Sequence, residues 1–114
     1  MKCVLILEDE PLIALDLKYA CDDAGLGAIV AGTLAQAVEE LGRHDFDGAV
    51  LDVNLGGGET CEDVARLLRQ RGIPFVLNTG DLDRAGEFLR EIKAPIVAKP
   101  SSADSVIAQL LELA

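Results

Sequence analysis

Four apolar runs are each followed at once, or within two residues, by a polar group able to do chemistry. Glu8 and Asp9 follow Cys3–Leu7, Asp52 follows Ala49–Leu51, Thr79 follows Phe75–Leu77, and Lys99 follows Ile96–Ala98. If the runs are strands of one sheet, four strands deliver these groups to one edge. Carboxylates gathered in a crevice of low dielectric repel one another, which costs stability unless a cation sits among them or a proton is taken up. Oxygen-only ligands favour a hard divalent ion, and Mg²⁺ takes one or two carboxylates, keeps several waters and accepts phosphate oxygens. The set therefore suits metal-assisted phosphoryl transfer. Asp52 would be the nucleophile that attacks phosphorus in line. Thr79 would donate its hydroxyl to one phosphoryl oxygen, and Lys99, a point charge on a long stem, would reach another. The Lys99-Pro100 bond is a candidate for the cis form, which X-Pro bonds adopt far more readily than others.

Taken singly, each group has a plainer explanation. Glu8-Asp9-Glu10 before Pro11 suits a helix N-terminus, where the macrodipole favours negative charge. Asp52 could be a turn former, Thr79-Gly80-Asp81 a helix cap, and Lys99-Pro100 an ordinary loop. Their joint occurrence at successive strand ends is what the separate explanations account for poorly.

The elements that must hold these groups are legible in the same way. Five short apolar runs recur, at Cys3–Leu7, Ala28–Val30, Ala49–Leu51, Phe75–Leu77 and Ile96–Ala98. Continuous rather than alternating hydrophobicity means that both faces are covered, as in a parallel sheet flanked by helices. Between the runs lie stretches with helical spacing. Ile13, Leu17, Cys21 and Ala24 make one stripe, with Pro11 in the first turn and Gly25 as a left-handed stop. Thr33 and Gln36 form a capping box ahead of Leu34, Val38 and Leu41. Val64, Leu67 and Leu68 face one side of a third helix ending near Gly72, and Ala85, Phe88, Leu89 and Ile92 make a fourth. The last starts near Ser102 and uses Val106, Ile107, Leu110 and Leu111. The pattern is an α/β chain, (βα)₅, folded as a doubly wound parallel five-stranded sheet. Right-handed crossovers leave few strand orders, and the flavodoxin-like order 2-1-3-4-5 is expected, with a ligand crevice where the winding reverses between the first and third strands.

Composition narrows the function classes. With 114 residues the chain has room for one compact domain, residues 1–114, and no effector domain is expected. Ten Lys and Arg against 20 Asp and Glu give a formal net charge of −10, which disfavours a nucleic-acid surface because phosphate binding needs a basic footprint. Cys3, Cys21 and Cys61 are odd in number and lack CxxC spacing, and the lone His44 has no metal-motif neighbour, so neither a disulfide framework nor a zinc site is supported. A reducing cytoplasm is the expected setting. No apolar run approaches the roughly 18 residues needed to span a bilayer, so no membrane insertion is expected.

In order and spacing, Val4-Leu5-Ile6-Leu7-Glu8-Asp9-Glu10, Val50-Leu51-Asp52-Val53-Asn54-Leu55, Val76-Leu77-Asn78-Thr79-Gly80 and Val97-Ala98-Lys99-Pro100 resemble the receiver domains of bacterial response regulators, over essentially the whole chain. That resemblance implies a stand-alone phosphoacceptor in which Asp52 takes a phosphoryl group from the phosphohistidine of a sensor histidine kinase or a histidine phosphotransfer protein. Asp9 and Asp52 would ligate Mg²⁺, with Glu8 acting directly or through water and Asn54 lending its backbone carbonyl. Such a chain is not a conventional enzyme, signals by protein–protein contact or phosphate shuttling, and is expected to be a monomer or weak dimer. Three departures stand out, one of them Asp81 where similar single-domain receivers have an aromatic after the glycine. Ile96 occupies the place where the family often has an aromatic switch residue, and the loop after Leu55 carries Gly56-Gly57-Gly58 where many relatives have a proline and a methionine. Among the alternatives, a phosphatase of the haloacid-dehalogenase type would need a second Asp where this chain has Asn54, which cannot shuttle a proton. A pseudo-receiver would typically have lost one of the groups that this chain keeps. A flavin module would need an aromatic pair around its ligand, and phosphate donors where Glu8-Asp9-Glu10 stands.

Overall fold

A computed structural model describes residues 1–80 and 91–113. Five strands, β1 (Cys3–Leu7), β2 (Gly27–Ala31), β3 (Gly48–Leu51), β4 (Phe75–Thr79) and β5 (Ile96–Ala98), form one parallel sheet in the order β2-β1-β3-β4-β5. This is the expected order. The continuous hydrophobicity of β1, β3 and β4 has the expected cause, for helices cover the sheet on both sides. Successive side chains point to opposite faces. Leu5, Leu7, Leu51 and Leu77 pack with residues of α2 (Leu34–Arg43) and α3 (Glu62–Gln70), while Val4, Ile6, Val50 and Val76 pack with α1 (Pro11–Asp23) and the C-terminal helix (Ala103–Glu112). Each such fully buried side chain contributes about 1.5–3 kcal/mol of transfer free energy.

Local chemistry explains the helix ends. Pro11 opens α1, where its missing N–H costs nothing, and Gly25 ends it at φ +77° while the Leu26 N–H returns to the Cys21 carbonyl at 2.8 Å. The hydroxyl of Thr33 accepts from the Gln36 N–H at 3.1 Å. The Gln36 side chain closes the box one residue further out than the motif implies, accepting from the Gly32 N–H at 2.8 Å. Ser102 caps the C-terminal helix by accepting from the Ser105 N–H at 3.1 Å. In α3, Glu62 and Asp63 sit in the first turn and Arg69 in the last, as the helix dipole favours.

Three positions expected on buried helix faces fall elsewhere, and in the two edge strands Val30, Ile96 and Ala98 are exposed. Ala24 lies past the end of α1 and is exposed, and Ala14 and Ala20 fill that face with Leu17 and Cys21. Val38 is 44% exposed, because the buried stripe of α2 is Ala37 and Leu41, and one residue along a helix turns the side chain by about 100°. Leu111 is 37% exposed at the edge of the stripe formed by Val106, Ile107 and Leu110. Asp81, Ala85, Phe88 and Leu89 lie outside the described residues, whereas Ile92 is buried in the same core as Leu68 and Leu77.

Candidate functional site

Strand register brings the predicted residues together. Leu7 pairs with Leu51, so Glu8 and Asp52 leave the sheet side by side. The Asp52 N–H donates to the Leu7 carbonyl at 2.8 Å, and the Glu8 N–H donates to the Ala31 carbonyl at 3.0 Å. On the other flank Thr79 pairs with Ala98, and the Lys99 N–H donates to the Thr79 carbonyl at 2.9 Å. From there the Lys99 stem crosses the strand ends. Its ammonium lies 2.8 Å from Glu8 Oε2 and 3.4 Å from Asp52 Oδ2. Lys99 is joined to Pro100 by a cis peptide bond, as expected. Glu8, Asp52 and Thr79 are buried, Asp9 is exposed and Asn54 is half-buried.

The electrostatics follow from that geometry. Burial pushes the Asp52 carboxyl up to about 7, and the negative charge of Glu8 adds to the shift, while the Lys99 ammonium and the Asn54 N–H oppose it. The Asn54 N–H reaches Asp52 Oδ1 at 3.4 Å. For Lys99, burial favours the neutral amine, but the hydrogen bond to Glu8 and the charge of Asp52 more than offset it, so the ammonium form is favoured. Cys61, which precedes α3, is a bystander whose thiol is pushed up to about 12 by burial and by the nearby Asp52 charge.

A divalent cation fits this donor set. Oxygen atoms of Glu8, Asp9 and Asp52 lie within 4.8 Å of one another, all three hard ligands, and the Asp52 carboxyl is raised first by its burial and then by the charge of Glu8. One carboxylate on the solvent side, Asp9, leaves the cluster open to water and to an incoming phosphate. Gly56 lies against it: a Cβ at that position would stand 3.6 Å from Asp9 Oδ2, and the residue holds φ +78°. The Gly56-Gly57-Gly58 segment is the tip of a small hairpin, with Asn54 bridged to Thr60 and the Leu55 N–H donating to the Glu59 carbonyl at 3.0 Å.

Two features of the site were not singled out from sequence. One is the apposition of Gly56 to Asp9, which depends on how the hairpin folds back. The other is Asn78, 4% exposed near the end of β4, whose side-chain amide donates to the Val97 carbonyl of the edge strand β5 at 2.9 Å. A polar residue directly after the apolar run Phe75–Leu77 is the signal that the sequence offers. Ile96, at the place of the family's aromatic residue, is 41% exposed at the start of β5. Among the described residues, no helix is long and apolar enough to cross a membrane.

No family model matches the chain. PhyR, a phyllosphere-induced regulator of Methylorubrum extorquens, is 33% identical over 114 residues, which cover 95% of this chain and 43% of PhyR. The chain thus spans less than half the length of that relative. The solution structure of SdrG from Sphingomonas melonis Fr1 is 36% identical, covers 97% of each chain and superimposes with a TM-score of 0.80. TrrA, a response regulator protein of Thermotoga maritima solved in complex with Mg²⁺-BeF, shares the fold with a TM-score of 0.81 at 23% identity, over 100% of both chains. With the 2-1-3-4-5 sheet, acidic groups gathered at the strand ends, and SdrG matching end to end at 36% identity, the chain belongs to the receiver-domain family of response regulators.

Proposed function

We propose that Asp52 is the phosphoacceptor and that the donor is the phosphohistidine of a sensor histidine kinase or of a histidine phosphotransfer protein. The observation that carries this reading is the Lys99 ammonium bridging Glu8 at 2.8 Å and Asp52 at 3.4 Å, within a cluster of three carboxylates. A carboxylate oxygen of Asp52 attacks phosphorus in line. The P–N bond breaks, its electron pair returns to the imidazole, and the imidazole takes a proton from solvent. Glu8, Asp9, Asp52 and the Asn54 backbone carbonyl would hold Mg²⁺, whose contribution when bound is to neutralise charge on the transferring phosphoryl oxygens. Lys99 turns from its two carboxylates to one phosphoryl oxygen, and the Thr79 hydroxyl donates to another. The chain accelerates its own phosphorylation and dephosphorylation rather than turning over a substrate. Its output is protein–protein contact or onward phosphate transfer, made as a cytoplasmic monomer or weak dimer with no nucleic-acid partner.

Phosphoramidate, a small donor with a P–N bond, tests the reading when offered with Mg²⁺ or with a chelator, and intact mass is followed. One added phosphoryl group that needs Mg²⁺ and disappears in Asp52→Asn is the expected result. An adduct that persists in Asp52→Asn, or none in the wild type at any Mg²⁺ concentration, would overturn it.

A further inference from the structure

Every residue of β4 is buried, and four of the five have an obvious use there. Phe75, Val76 and Leu77 fill the core, and Thr79 ends the strand, its carbonyl accepting from the Lys99 N–H. Asn78 does neither. It alternates with Val76 on the face covered by α1 and the C-terminal helix, where a leucine of nearly the same shape would add apolar burial. An amide in such a place must be hydrogen-bonded, and its retention there is weak evidence for stability. Its amide donates to the Val97 carbonyl at 2.9 Å. Val97 pairs with Asn78 in the sheet and lies two residues before Lys99. The strand it belongs to is short, Ile96–Ala98, and lies at the sheet edge with β4 as its neighbour.

The Lys99 side chain borders open space. A cavity of about 190 Å³ opens beside its stem, bounded by Asn78, Pro100, Val106 and, from α1, Ile13 and Leu17. A flexible four-carbon stem that borders a cavity takes its aim from the backbone that carries it. We propose that Asn78 is a positioning residue for Lys99: by tying the Val97 carbonyl to β4 it fixes the strand from which Lys99 reaches the phosphoryl group. The inference rests on the phosphoacceptor reading above and adds to it a residue that touches neither metal nor phosphate. Groups that hold a reacting group in place from behind typically change activity by roughly tenfold to a hundredfold when lost.

The test is a cycle of four proteins: wild type, Asn78→Leu, Lys99→Ala and the double variant, with Asn78→Ala as a second substitution at the same position. Each is followed for phosphorylation rate with acetyl phosphate, for urea stability and for Mg²⁺ binding. Asn78→Leu should be phosphorylated at least about tenfold more slowly than wild type, with Mg²⁺ affinity within about twofold and no loss of stability. In the Lys99→Ala background, Asn78→Leu should change the rate by less than about twofold, because the two act as a unit. Equal rates for wild type and Asn78→Leu, or fully additive effects in the cycle, would overturn the inference while leaving Asp52 as phosphoacceptor. If the wild type accepts no phosphoryl group, the phosphoacceptor reading fails by itself. The NMR signal of the Lys99 ammonium then decides the positioning role: protection from solvent exchange that is lost in Asn78→Leu and in Asn78→Ala supports it, and unchanged protection overturns it.

Discussion

Replacing Lys99 by alanine leaves Glu8 and Asp52 without the cation that lies 2.8 and 3.4 Å from them, in a place where their side chains are 1% and 8% exposed. At an effective dielectric constant of about 20, each contact carries a gross attraction of roughly 5–6 kcal/mol. Most of that only repays the desolvation of the ions, so the pair is no measure of net stability. Removing one partner is different, because the desolvation already incurred stays uncompensated, at about 3–5 kcal/mol. The Lys99 side chain is 19% exposed, which admits some water in its place and puts the expected loss near the lower end, about 3 kcal/mol. Urea unfolding at pH 8 without Mg²⁺ should show this as a lower midpoint with an unchanged slope. The loss should shrink to roughly half at pH 5.5, because Asp52, pushed up to about 7, is then protonated and Glu8 alone is left unpaired. Lys99, whose ammonium form is favoured in the folded protein, stays charged across this window, since its contribution is lost only as pH rises past the lysine range. Saturating Mg²⁺ should lessen the loss as well. A loss below about 1 kcal/mol at pH 8, or one equal at both pH values, would refute the assignment of Lys99 as the charge that compensates buried Glu8 and Asp52.

In Mg²⁺-free wild type, the raised Asp52 carboxyl means that the folded state holds a proton which the unfolded state has released, so this group's contribution to stability falls as pH rises from about 4 toward 7. Asp52→Asn should remove that fall, and urea midpoints measured from pH 4 to pH 8 should show the variant gaining on wild type with rising pH. Gly56→Ala puts a side chain on φ +78° and should cost about 1–2 kcal/mol in urea unfolding, a cost of the backbone alone because the new methyl meets Asp9 Oδ2 at an ordinary 3.6 Å contact. Ser102→Ala removes the acceptor for the Ser105 N–H and should cost about 1 kcal/mol in thermal or urea unfolding, with phosphorylation rate unchanged.

Glu8, Asp9, Asp52 and Lys99 could be read from sequence because each sits one or two residues past an apolar run, and a parallel sheet sends all such positions to one edge. What sequence leaves open is depth. Glu8 is 2% exposed and its neighbour Asp9 is exposed, a difference set by which side of β1 each leaves from and by Lys99 covering Glu8. Strand order was legible because connection handedness leaves few choices. Helix faces were legible only to within a residue, as Val38 and Leu111 show: both adjoin buried positions in sequence, and the turn per residue carries them to the rim. The role of Asn78 was illegible, since it rests on its pairing across two strands with Val97, 19 residues away in the chain. The hairpin at Gly56 was equally hidden, because three glycines permit many turns and the Leu55–Glu59 hydrogen bond selects one.

The central claim is chemical and local: that the carboxyl of Asp52 becomes an acyl phosphate. Treating the protein with acetyl phosphate and Mg²⁺, reducing it with borohydride and sequencing its peptides by mass spectrometry reads that carbon directly, because an aspartyl phosphate is reduced to homoserine while a free carboxylate is untouched. Homoserine is expected at position 52 in a Mg²⁺-dependent fraction of the chains, and at no other aspartate. Homoserine at Asp9 in place of position 52, or unreduced Asp52 in a protein that had gained a phosphoryl group by mass, would contradict it.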